Sequence, residues 1–196
     1  MAIRRLSKAS ITSGAKSSKM WDQETSLGFY ESIASATITS NDFVDFTNIP
    51  QNYTHLQLRF VIRDSAAFAE RSWFMEFNGN SPSGSNANHA MYGNGSTVTS
   101  TNATNQGRFA SLIPIIASSG TANVFTGGVT DILDYSSSSK KKTVRSITGY
   151  DGNGSGVIGL ESYLYNSTNP ITWIRFYTNV YLVQYSHVAL YGIRGA

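Results

Sequence analysis

Residues 151–159 read DGNGSGVIG, and three chemistry-bearing patterns overlap there. Gly154, Gly156 and Gly159 match G-x-G-x-x-G, the spacing that lets a backbone approach a dinucleotide pyrophosphate. Asp151, Asn153, Ser155 and Gly156 match the first half of a calcium-binding loop, where turn-borne oxygens wrap a hard cation. Asn153, Gly154 and Ser155 form a glycosylation sequon. The flanking residues weigh against all three. A pyrophosphate fingerprint opens a helix, whereas an alternating, strand-like run begins at Gly156. The acid expected about twenty residues on is missing, since no Asp or Glu follows Glu161. The calcium loop needs a bidentate Glu at its twelfth position. That position is Ser162, and Glu161 is one place short, which on a strand means the opposite face. Asn52, Asn94, Asn102 and Asn166 also sit in sequons, as a chain rich in Asn, Ser and Thr produces by chance. The plain expectation is a hairpin turn, with Asp-Gly and Asn-Gly supplying positive-φ positions. No bound cofactor or metal is expected.

Other chemistry is sparse. His55, His89 and His187 form no H-x-x-x-H pair, and there is no G-x-S-x-G or P-loop. With no cysteine, disulfides, thiolate zinc sites and a Cys nucleophile are excluded. A Ser-His-Asp triad assembled through space stays open. The twelve acidic residues are scattered singly and name no carboxylate pair for glycoside hydrolysis. The sequence is therefore read as that of a non-enzyme.

The surrounding elements are short and alternating. Charged residues make up only 14% of the chain, while 28 Ser, 18 Thr and 15 Asn fill the polar positions. Those side chains compete for backbone hydrogen bonds and favour turns and sheet surfaces over helices. Residues 54–63 alternate cleanly, with Leu56, Leu58, Phe60 and Ile62 on one face and His55, Gln57 and Arg59 on the other. Further strand-like runs cover 29–39, 43–50, 72–77, 108–117, 121–135, 142–150, 156–165, 171–178 and 186–193. Pro114 points to an edge strand or bulge, and 78–88 reads as a loop. Nine or ten such strands predict an all-β, jelly-roll-like antiparallel β-sandwich over 29–196. No apolar run approaches the roughly 18 residues that span a membrane, and the charged start lacks the apolar core of a secretory signal.

The net charge of +3 is unevenly divided. Arg4, Arg5, Lys8, Lys16 and Lys19 stand without an acid in the first twenty residues, and the rest of the chain sums to −2. Residues 1–28 thus read as a basic N-terminal arm that docks on a negative surface or stays solvated. Trp21 is its one aromatic before Phe29, so the arm lacks a base-stacking pattern and no nucleic acid is expected. The SSSSKKKT stretch (136–143) reads as a solvated hairpin loop.

The segments IPQNYTHLQLRF (49–60), DILDYSSSSKKKTVRSITGYDGNGSGVIGL (131–160), ITWIRFY (171–177) and SHVALYGIRG (186–195) resemble a family of virion proteins from marine and cyanobacterial tailed phages. The resemblance covers roughly residues 29–196. Val188 stands where the family usually has Phe, and Arg194 where it has Lys. It implies a β-sandwich without catalysis, on the head or the tail. A short arm on one β body looks more like a capsid decoration or cement protein, docked on the major capsid protein through Arg4, Arg5, Lys8, Lys16, Lys19 and Trp21. The alternative is a fibre-tip module contacting host glycan.

The segment ITWIRFYTNVYLVQYSHVALYGI (171–193) is apolar or aromatic on both strand faces. Ile174, Phe176, Val180 and Leu182 share one parity; Trp173, Tyr177, Tyr181, Val183 and Tyr185 share the other. A strand apolar on both faces needs a second partner, so Trp173, Tyr177, Tyr181 and Tyr185 are the expected subunit interface. Three-fold symmetry is implied by the resemblance alone.

Overall fold

The computed structural model describes residues 29–40, 42–79 and 86–195. The arm residues Arg4, Arg5, Lys8, Lys16, Lys19 and Trp21 lie outside them. Fourteen strands follow in chain order: β1 (Tyr30–Thr37), β2 (Val44–Phe46), β3 (His55–Ile62), β4 (Glu70–Arg71), β5 (Trp73–Phe77), β6 (Asn86–Gly93), β7 (Val98–Gln106), β8 (Phe109–Ala110), β9 (Ile115–Ile116), β10 (Thr126–Ile132), β11 (Lys142–Asp151), β12 (Gly156–Tyr165), β13 (Ile174–Thr178) and β14 (His187–Ile193). An eight-stranded sheet runs β1-β14-β3-β10-β11-β12-β6-β7, a four-stranded sheet runs β2-β13-β5-β8, and β4 pairs with β9. Every strand pair is antiparallel. The fold is all-β, as the alternation predicts.

Period-two patterning fixes which faces meet. Leu56, Leu58, Phe60 and Ile62 of β3 point inward beside Val188 and Leu190 of β14. Across the interlayer space stand Trp73, Met75 and Phe77 of β5 and Ile174 and Phe176 of β13. Rings from both layers interlock at the centre. Phe60 lies 5.1 Å from Trp73 and 5.1 Å from Phe176, and Trp73 lies 4.7 Å from Phe109. The Phe60 ring fits because Gly128 faces it, and a Cβ there would sit 2.1 Å from the ring. Hydrophobic burial of these rings, at about 25 cal/mol per Å², is the main force joining the two leaves.

The 78–88 loop is shorter than expected and one strand is added. Asn86 and Asn88, assigned above to a loop, lie in β6 with their side chains buried. Their Nδ2 groups are paired: Asn86 Nδ2 donates to the Gln106 carbonyl at 2.8 Å, and Asn88 Nδ2 donates to the Ala110 carbonyl at 2.8 Å. Strand β7, not anticipated at all, is an edge strand of Thr, Ser and Asn with no buried face. The 108–117 run divides at Pro114, β8 joining the edge of the four-stranded sheet and β9 pairing with β4.

Candidate attachment surfaces

The 151–159 stretch is a turn between β11 and β12. Asp151 Oδ1 accepts from the Asn153 amide at 2.8 Å, and the Gly152 amide donates to the Ser155 carbonyl at 2.6 Å. Asn153 and Gly154 adopt φ of 60° and 107°, whereas Asp151 and Gly152 do not take positive φ, so the Asn-Gly pair alone, of the two expected, does the turning. Gly156 and Gly159 lie in β12 rather than opening a helix. Among the described residues no three His, Asp or Glu cluster as metal ligands.

Glu161, the near-miss calcium anchor, points into the protein. Its Oε1 accepts from Asn88 Nδ2 at 2.8 Å and the Leu112 amide at 2.9 Å, and its Oε2 accepts from Ser111 Oγ at 2.8 Å. Burial pushes its pKa up, opposed by those three bonds. The carboxylate staples the β8–β9 connection onto β12 and β6. On β12 Glu161 faces inward and Ser162 outward, the opposite faces that strand parity predicts.

The molecule has two unlike ends. At one end the described chain begins: the Arg194 amide donates to the Phe29 carbonyl at 2.9 Å, and Tyr30 pairs with Ile193. The β10–β11 loop packs beside it, through Asp134 N donating to His55 Nδ1 at 2.9 Å and Ser136 Oγ donating to the Tyr53 carbonyl at 3.0 Å. His55 is thus a sheet-end residue. Asp134 is ion-paired with Lys140 at 2.9 Å, which holds its carboxyl below the ordinary range. Glu31 meets Arg194 at 3.7 Å and accepts from Tyr53 Oη at 2.6 Å. Lys141 is exposed and takes part in no ion pair among the described residues. Lys142 departs from the solvated reading of SSSSKKKT. It is buried, with Nζ donating to the carbonyls of Ser137 and Lys140 at 2.7 and 3.0 Å. Burial lowers its pKa.

At the opposite end the loops carry exposed aromatics. Tyr185 is 72% exposed at φ 71°, and Tyr181, Phe68 and Val180 are also exposed. The Arg71 guanidinium lies 3.9 Å from the Phe68 ring centroid. Arg63 holds this end together from beneath. Its guanidinium donates to the carbonyls of Thr121, Val124, Gly120 and Ser118 at 2.6, 2.8, 2.9 and 3.2 Å.

The four expected interface residues separate. Tyr181 and Tyr185 lie on the loop end. Trp173 and Tyr177 lie on the outer face of the four-stranded sheet, half-buried under arginines. Arg108 sits 4.2 Å from the Phe74 centroid and donates to Tyr177 Oη at 3.0 Å. Arg175 sits 5.3 Å from Trp173 and 4.2 Å from Phe43, and grips Asp45 in a bidentate pair at 2.8 and 2.7 Å. Burial and the Glu76 carboxylate push the Tyr177 pKa up to about 12. The second face of β13 is therefore partly covered within the chain by Arg108 and Arg175, whose guanidinium groups lie 5.6 and 5.3 Å from the Tyr177 and Trp173 centroids. Ile174, Phe176 and Leu182 are buried, and Val180 turns outward because the chain leaves the strand after Thr178.

No family model, curated protein or solved structure matches the chain.

Proposed function

We propose that this chain is a virion structural protein of a tailed phage, a capsid decoration protein that seats its arm-bearing end on the major capsid shell. The observation that carries the reading is the shared end. Phe29, where the basic arm joins the body, and the 133–141 loop with Lys140 and Lys141 are linked through Arg194, Tyr53 and His55. Glu31 and Asp134 at this end are each engaged by a base, and the arm, Asp22 and Glu24 included, carries a net charge of +3 over residues 1–28. A 28-residue segment can extend roughly 90 Å, enough to follow a seam between shell subunits. No catalytic step is assigned. The test is binding to capsids lacking the protein: the full chain should bind, and binding should weaken as salt rises from 50 to 500 mM. Salt-independent binding or none would contradict it.

A second reading rests on the other end. Exposed Tyr181, Tyr185 and Phe68 would suit a fibre-tip module stacking on host glycan rings. Tyr185→Ala and Tyr181→Ala would then abolish host-cell binding while leaving capsid binding intact.

A further inference from the structure

The outer face of the eight-stranded sheet does not look like a solvent face. Val129, Ile147, Leu160 and Met91 lie in register across β10, β11, β12 and β6. Ile147, Leu160 and Met91 are 55%, 52% and 51% exposed. The next outward-facing row holds Val61, Gly127, Gly149, Ile158 and Gly93, then Val98 on β7. Its glycines floor a trough of about 780 Å³ along Ile147 and Ile158, continued by one of about 590 Å³ along Leu160 and Met91. Antiparallel sheets facing water alternate apolar-in and polar-out; here β11 and β12 place apolar residues on both sides. Contiguous exposed apolar surface of several hundred Å² marks an interaction site.

We infer that this face is an interface with a second copy of the same chain. The charges on it are few: Arg59 of β3, whose guanidinium turns onto the Tyr30 and Tyr191 rings at 5.4 and 5.8 Å, and one self-complementary pair. Arg145 of β11 and Asp131 of β10 are register partners on the outer face. Among the described residues Arg145 takes part in no ion pair, and Asp131 accepts only a neutral donor, Gln57 Nε2 at 2.8 Å. A two-fold axis in the interface plane, running along the strands between β10 and β11, sets Arg145 over Asp131 of the second copy and Ile147 over its Val129. The same operation brings Ile158 over Val61. The available area suffices: five strands at about 4.8 Å spacing, of up to ten residues at about 3.3 Å each, offer roughly 800 Å² per copy, the size of a standard interface. Because the axis follows the strands, both basic ends face the same way. Two arms could then engage one surface together. The contact lies within the protein itself, so its failure would leave the capsid reading untouched.

The test uses charge reversal on the full chain at tens of micromolar, read by light scattering. The wild type should show twice the chain mass of 21.3 kDa. Arg145→Asp and Asp131→Arg should each show one chain mass while melting like the wild type, and their equimolar mixture should recover the doubled mass, since both cross-pairs are restored. Ile147→Glu should be monomeric alone and in either mixture. A monomeric wild type, a three-chain assembly indifferent to these changes, or a mixture that stays monomeric would overturn the inference. The last is also the result expected if the chain's own arm covered this face.

Discussion

The carbonyl of Phe29 accepts a hydrogen bond from the amide of Arg194 at 2.9 Å, tying the first described residue to the far end of the last strand. The junction between arm and body is therefore a closed strand pairing, and the β1–β14 ladder needs nothing upstream of it.

Removal of residues 1–25 should accordingly leave the body intact. Thermal melting of the truncated protein should stay within a few degrees of the full chain, while its affinity for capsids falls at least tenfold. Equal affinity of the two proteins would show that the arm does not dock.

Glu161 should make stability fall as pH rises. Its folded pKa lies above the unfolded value, so the folded state holds the proton more tightly. The stabilising contribution is complete below about pH 4.3, the ordinary glutamate value, and is lost upward from there. Glu161→Gln keeps the Oε1 acceptor for Asn88 and Leu112 and lets Nε2 donate to Ser111 Oγ, whose proton goes to the Ile113 carbonyl. Melting curves from pH 4 to 8 should show the variant gaining on the wild type as pH rises. Glu161→Leu should destabilise by about 2–4 kcal/mol by stranding the Asn88 and Leu112 donors, Ser111 keeping the Ile113 carbonyl.

The parts of this fold that sequence revealed are those decided by neighbours along the chain. Strand β3 announced itself because Leu56, Leu58, Phe60 and Ile62 alternate with polar residues, and the 151–155 turn because Asn-Gly supplies its positive φ. Strands β6 and β7 were invisible because Asn86 and Asn88 are buried polar residues whose partners, Gln106 and Ala110, lie some twenty residues away. The two-faced strand β13 was legible as an anomaly, but its covering arginine, Arg108, is 69 residues from Tyr177. The shared basic end was equally hidden, since it depends on the register that brings β1, β3 and β14 together.

Arg63 should be indispensable to the aromatic loop end. Replacing it with Met removes the donors that satisfy four carbonyls between Ser118 and Val124. Denaturant titration should register a loss of about 2–4 kcal/mol, with proteolysis appearing first between residues 117 and 125. An unchanged midpoint would mean that water replaces the guanidinium without penalty.

Divalent ions should leave the 151–156 turn unaffected. Asp151 Oδ1 is already used by the Asn153 amide, and the loop lacks a bidentate partner. Melting temperatures in EDTA and in millimolar calcium should coincide. A calcium-dependent rise of several degrees would reveal a site at Asp151 and Asn153.

The most direct measurement of the proposed role is a reconstruction of the virion that carries this protein. The account predicts density for the β-sandwich on the outer capsid shell, with the 133–141 loop and Phe29 facing the major capsid protein and Tyr185 facing away. Density confined to the tail, or seated on the shell by the Tyr181–Tyr185 end, would contradict it.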